Sequence, residues 1–293
     1  MKTILITALL ALSLIPTVSH AQGSLTPPSG PPVATMKSID ELWDKIPIKV
    51  NRIPISSLPF TIGTSGEYYL TKNLEFSDTT GHAITIAVRS VTLDLNGFRI
   101  TSSDDVTGDA INFIGIAEGV KIMNGRISGG TTITAGTGNL NPRGFSSGIN
   151  AVGSIGCKFA DLHISGCRAN GLVIGNNNAV EKIICYSNGS NGIFANGSDN
   201  DLSHCQCTGN KNYGIYAPDS ILNACVTSYN GAGLSAIGGV VSNCLARYNK
   251  YDGITVTNGV VSFCAASNNN QAGLTYLDIN ATGATRTGNR PTP

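Results

Sequence analysis

Five residues carry the densest chemistry in the 293-residue sequence: Asp104, Asp105 and Asp109, followed by Arg126 and Arg143. Hydrolysis of a glycosidic bond needs two carboxylates facing it. A lyase reaction needs carboxylates that ligate a cation and a basic group that takes the proton next to a sugar carboxyl. These five are therefore the candidate catalytic residues. Ca²⁺ would enter only with the lyase chemistry; otherwise no cofactor is expected. Solvated turn residues leave the same signature. From Gly148 onward the acids are Asp161, Glu181, Asp199, Asp201, Asp219, Asp252 and Asp278, at scattered offsets that build no column.

Eight cysteines offer a second chemistry. Cys205, Cys225, Cys244 and Cys264 each lie five residues before an asparagine, while Cys185 and Cys207 each lie three before one. Five and three differ by two, so on strands both rows point to the same side. They read as two ladders of buried thiols, with Asn188, Asn210, Asn230, Asn249 and Asn269 forming a third ladder at a turn. Side chains stacked in parallel do not converge for a disulfide. Cys157 and Cys167 fall outside this register, and a bond there stays open. His204-Cys205-Gln206-Cys207 offers metal-ligand types, but alternation sends His204 outward and no second cluster completes a tetrahedral site. No metal site is expected.

These spacings come from a repeat. Strand-like runs begin at Ala83, Ala110, Gly148, Gly171, Gly192, Gly214, Gly233, Gly253 and Gly273, at steps of 27, 38, 23, 21, 22, 19, 20 and 20 residues. Alternation within the runs has period two, which means strands. A coil of short strands every 20 or so residues, without room for a crossover helix, is a parallel β-helix. Each coil buries its apolar face only by stacking on its neighbours. The expected fold is all-β, a single-stranded parallel β-helix of about nine coils.

On the strand that opens each coil, the second residue after the anchor points outward. That column reads Thr85, Asn112, Asn150, Val173, Phe194, Tyr216, Ser235, Thr255 and Thr275. Asn150, Val173, Phe194 and Tyr216 are the candidate ligand-binding residues, because apolar and aromatic side chains in consecutive coils suit stacking against sugar rings. The competing expectation is that the insertion Ser128–Ser147 folds over this row, with Leu140 and Phe145 packing on it.

The remaining segments frame the repeat. Residues 1–21 read as a signal peptide: Lys2, an apolar run from Ile4 to Ile15, and a small residue at Ala21. Residues 22–36 form a Pro-rich leader. Residues 37–59 form an N-terminal cap, with a short helix opened by Ser38 and Glu41 and facing the core through Ile39, Leu42, Trp43 and Ile46. The β-helix runs over 60–280, with the insertion at 128–147, and 281–293 read as a flexible tail. Lys and Arg total 19 against 18 Asp and Glu, so losing Lys2 leaves a balance near zero. Such a surface does not steer toward nucleic acid. No later stretch is apolar enough to span a membrane, so export to a periplasm or the medium is expected.

The coil pattern over about 60–280 resembles the right-handed parallel β-helix proteins built like pectate lyases. GSLTPPSGPPVATMKSIDEL, TSGEYYLTKNL and VTLDLNGF are similar to a group of secreted bacterial β-helix proteins, a resemblance that implies no reaction. The motifs of the related polygalacturonases are not matched. Asn-Thr-Asp is absent, Gly81-His82 runs into Ala83, and Arg99-Ile100 and Arg126-Ile127 run into Thr101 and Ser128. Asp104-Asp105 alone corresponds, and no catalytic role is carried over. The expected function is binding of a polysaccharide or cell-surface glycan, or a surface structural role, without catalysis. The alternatives are a polysaccharide lyase or glycoside hydrolase and, from the uncovered C-terminal coil, a fibre or tailspike-like assembly.

Overall fold

The computed structural model describes residues 51–102, 104–133, 140–273 and 277–291. Every regular element among them is a strand. The expected signal peptide, leader and capping helix lie outside the described residues.

Apart from a short antiparallel pair, Thr132–Ile133 with Leu140–Asn141, the strands pair in parallel with their equivalents in neighbouring coils, so the chain winds as a solenoid. In one coil Ile193–Ala195 lies on a first face, Asp201–Ser203 on a second and Gln206–Thr208 on a third. Their partners one coil on are Ile215, Ile221 and Val226, opposite Ile193, Asp201 and Gln206. Alternate residues point inward: Ile193, Ala195, Leu202 and Cys207 are fully buried. Stacking such strands makes one continuous core of Ile, Leu, Val, Ala and Cys.

The coil count is about ten, as ten strands stack on the first face. The additional coil comes from Phe60–Ile62, which pairs with Ile84–Ile86. Sheet also reaches into the segment expected as a cap, since Ile53–Ile55 pairs with Tyr68–Leu70. The tail expected over 281–293 is corrected as well. Thr285–Thr287 and Arg290–Pro291 extend the second and third faces. Polar side chains hid these strands, but a backbone ladder to the preceding coil needs no apolar pattern.

Each coil turns three corners, and most of the corners pivot on a left-handed residue. Asp199 (φ 59°), His204 (φ 55°) and Gly209 (φ 67°) do so in one coil. Tyr229, Tyr248, Ala224 and Phe263 take the same conformation in later coils, at a cost of about 1–2 kcal/mol each. Coil-to-coil bonds hold them there, such as the Tyr229 N–H donating to the Arg247 carbonyl at 3.2 Å.

The residue after each pivot turns inward and satisfies the neighbouring coil. At the third corner the backbone and side-chain N–H groups of Asn188, Asn210, Asn230 and Asn249 donate to the Oδ1 of the next asparagine, at 2.8–3.1 Å. Asn178 and Asn200 form a shorter row at the first corner. At the second corner cysteine has this role: the Cys225 and Cys244 N–H groups donate to the Sγ of Cys244 and Cys264, both at 3.4 Å. The thiols donate in turn to backbone carbonyls. The cysteine row is thus part of the polar ladder as well as core filling.

Cys157 and Cys167, out of register with the other cysteines, head the two asparagine rows. Their N–H groups donate to Oδ1 of Asn178 and Asn188 respectively, so they stand at different corners. All eight thiols are free and buried. Burial pushes the Cys167 thiol up to about 12, far from the reactive thiolate. A thiol reagent added to the folded chain should therefore titrate fewer than one group, and denaturation should release all eight. Rapid labelling of several thiols in the native protein would contradict this packing.

The glycines that open the repeats have a steric reason. A Cβ on Gly192 would lie 2.6 Å from the Gly214 carbonyl oxygen and 2.9 Å from both Cys207 Sγ and Asn210 Nδ2. The strand enters the first face directly beneath the asparagine row, and no side chain fits there.

Candidate functional site

The outward column of the first face is continuous through the coils. Thr61, Thr85, Asn112, Asn150, Val173, Phe194, Tyr216, Ser235 and Thr255 stand in register. Its last member is Asn280, paired with Thr255. The anchor expected at Gly273 therefore moves to Asp278, because the chain makes a longer excursion after Asn269; residue 275 lies outside the described residues.

Three rings gather midway along this face. Phe194 and Tyr216 stack with centroids 5.4 Å apart and planes 19° apart, and Tyr213 tilts against Tyr216 at 5.4 Å and 53°. Backbone ladders hold the first two in adjacent coils. Tyr213 is placed by a third amide row: Asn191 donates to Asn170 Oδ1, and the Tyr213 N–H donates to Asn191 Oδ1 at 3.0 Å. Val173 shares the row but is only 8% exposed, so the accessible patch is Phe194, Tyr216 and Tyr213. Asn150 is tied to the wall of the site, its Nδ2 donating to Asp109 Oδ2 at 3.1 Å.

The described residues Leu140 and Phe145 of the insertion lie elsewhere. Phe145 is fully buried and stacks on Phe76 at 5.9 Å, contrary to its expected place over the row. Leu140 borders a groove of about 810 Å³ on the third corner, with Tyr186, Lys211, Tyr229 and Lys250 around it. Tyr229 and the next coil's Tyr248 stack there at 5.2 Å and 13°, exposed by 64% and 41%.

The structure distributes the five candidate catalytic residues. Asp105 and Arg143 form an exposed pair at 3.7 Å, and Asp104 is exposed in the same turn. Asp109 is 5% exposed. Its oxygens accept from the Ser147 N–H at 2.8 Å and from Asn150, with His82 Nδ1 3.6 Å away. Those bonds make it a brace between coils. Arg126 stands on the third face between Arg99 and His163. Burial, with Arg126 and Arg99 nearby, holds His163 below its ordinary value, so its imidazole is neutral at neutral pH. Among the described residues no group of three His, Cys, Asp or Glu side chains is arranged to hold a metal.

Residues 147–289 match the family model described as a right handed beta helix region. The fold is a right-handed parallel β-helix. Similar solved structures include ORF18 of Geobacillus virus E2, at 13% identity and a TM-score of 0.48, over 79% of this chain and 54% of that one. The A-module of the Azotobacter vinelandii mannuronan C-5 epimerase AlgE4 is 12% identical with a TM-score of 0.48, over 77% and 79% of the two chains. The periplasmic alginate epimerase AlgG is 12% identical with a TM-score of 0.45, over 86% and 82%. The chain spans about half the length of the first of these. At such identities the likeness carries no statement about activity. The search of curated proteins found no significant match. No helix among the described residues of this β-helix is long and apolar enough to cross a membrane.

On the β-helix, Phe194 and Tyr216 were visible from sequence because the period-two alternation placed them outward. Tyr213 is not in that outward column; its place just before Gly214 is the one that Asn191 fills before Gly192 one coil earlier, and this spacing is the signal that could have found it.

Proposed function

We propose that this chain is an exported protein that binds a polysaccharide along its first face. The observation that carries the reading is the Phe194–Tyr216 stack with Tyr213 against it. Rings fixed at about the rise of the coil, roughly 4.8 Å, form an apolar patch against which successive sugars can pack. The polar residues on either side, Asn112 and Asn150 before and Thr255 after, supply hydrogen-bonding groups for hydroxyls in the same row. Asp109, the enclosed carboxylate beside Asn150, is already engaged by Ser147 and Asn150, which suits binding better than proton transfer. The reading is tested by incubating the mature protein with a panel of neutral and uronic polysaccharides, with and without Ca²⁺. Retention on at least one polymer with no release of reducing ends is expected. Release of reducing ends or unsaturated products would replace binding with catalysis.

A further inference from the structure

On the third face the outward column changes character along the rod. It reads Arg99, Arg126 and His163 in three consecutive coils, then Ile184, Gln206, Val226, Leu245 and Ala265. Arg290 follows Ala265 at the far end, but only Arg99 and Arg126 set two cations on neighbouring coils, and both are exposed. Like charges directly opposite on neighbouring strands repel. The usual remedy is a carboxylate in reach: on the second face Lys158 and Lys182 share Glu181 at 3.2 and 3.5 Å. Among the described residues no carboxylate forms an ion pair with Arg99 or Arg126.

The side chains beside the column also suit an anion. Thr101, Ser128 and Ser165 stand in register two residues further along the same strands, so a hydroxyl row runs parallel to the cationic row. Between them lies a groove of about 410 Å³ lined by Arg99, Arg126, Ser128, His163 and Ser165. Asp161 and Lys182 border the adjoining groove at the corner, and Glu75 precedes Thr101 in the hydroxyl row.

We propose that the Arg99–Arg126–His163 column binds the carboxylate or sulfate groups of an acidic polysaccharide. Guanidinium groups supply paired donors to such oxyanions, and the hydroxyl row accepts and donates to the sugar beside them. A polymer is favoured over a single ion because the donors repeat at the coil rise, about 4.8 Å, close to the advance of one pyranose along an extended chain. Nucleic acid is disfavoured by a whole-chain net charge of +1. This column lies on a different face from the Phe194–Tyr216 patch, and the inference stands without that reading.

The test is retention of the whole secreted chain on dextran sulfate, polygalacturonate, unsubstituted dextran and a single-stranded oligonucleotide at fixed ionic strength. Wild type should be retained on dextran sulfate or polygalacturonate. The R99Q/R126Q double variant should lose that retention about tenfold or more, with a smaller salt dependence. R99K/R126K, which keeps the charge, should retain a large share. Each variant is checked for a wild-type melting temperature. Equal retention of R99Q/R126Q and wild type would overturn the proposal, as would no retention on either acidic polymer. Oligonucleotide binding as tight as polysaccharide binding would overturn the assignment to a glycan.

Discussion

Replacing Asn230 with alanine should lower the stability of the β-helix by about 3–5 kcal/mol. Asn230 is 3% exposed, in the middle of the third-corner row. Its Oδ1 accepts from both the backbone N–H and the Nδ2 of Asn210, each at 2.9 Å. Its own Nδ2 donates to the Cys207 carbonyl at 3.0 Å and to Asn249 Oδ1 at 3.1 Å. Alanine removes all four bonds and leaves buried donors and acceptors in two coils without partners. Each such group costs about 1–3 kcal/mol. The half-buried Asn191, whose amide belongs to the outer row, should cost about 1 kcal/mol when replaced in the same way. Urea unfolding measures both. Equal losses, or a change below about 1 kcal/mol for Asn230→Ala, would show that the row does not hold the corner.

The second large effect is on binding. The double substitution Phe194→Ala and Tyr216→Ala should weaken polysaccharide retention about tenfold or more. Each ring offers contact worth about 0.5–1.5 kcal/mol beyond its buried area, and 1.4 kcal/mol is a tenfold change. Tyr213 remains in the variant, held by its bond to Asn191, so residual binding is expected. The fold should tolerate the change. Both side chains point outward, while the inward neighbours Ile193, Ala195, Ile215 and Ala217 are fully buried and untouched.

Much of this architecture is readable from the chain because a coil repeats its physics. Glycine anchors, alternating runs and the asparagine spacing each recur at the coil period, which was enough to align Thr85 through Thr255 on one outward row. What was not readable lies where different residue types do one job. The corner pivots are Asp199, His204, Gly209, Tyr229 and Phe263, a set with no shared propensity, because the conformation is imposed by coil-to-coil backbone bonds. Cys157 and Cys167 looked misplaced for the same reason: they occupy asparagine positions at two other corners. Phe145 was read as a loop residue and is core, stacked on Phe76. The last coil was misregistered because Gly273 imitates an anchor, whereas Ile254 pairs with Ile279. Of the five catalytic candidates, Asp104, Asp105 and Arg143 stay together on the surface, while the winding of the coil encloses Asp109 between coils and places Arg126 on the third face.

A sugar-stacking site on the first face can be tested at the rings themselves. Its most direct test is side-by-side retention of wild type and F194A/Y216A on the polysaccharide that wild type binds, with circular dichroism and melting temperature confirming the fold. The folded double variant should lose about tenfold or more of the affinity. Retention equal to wild type in a fully folded variant would contradict it.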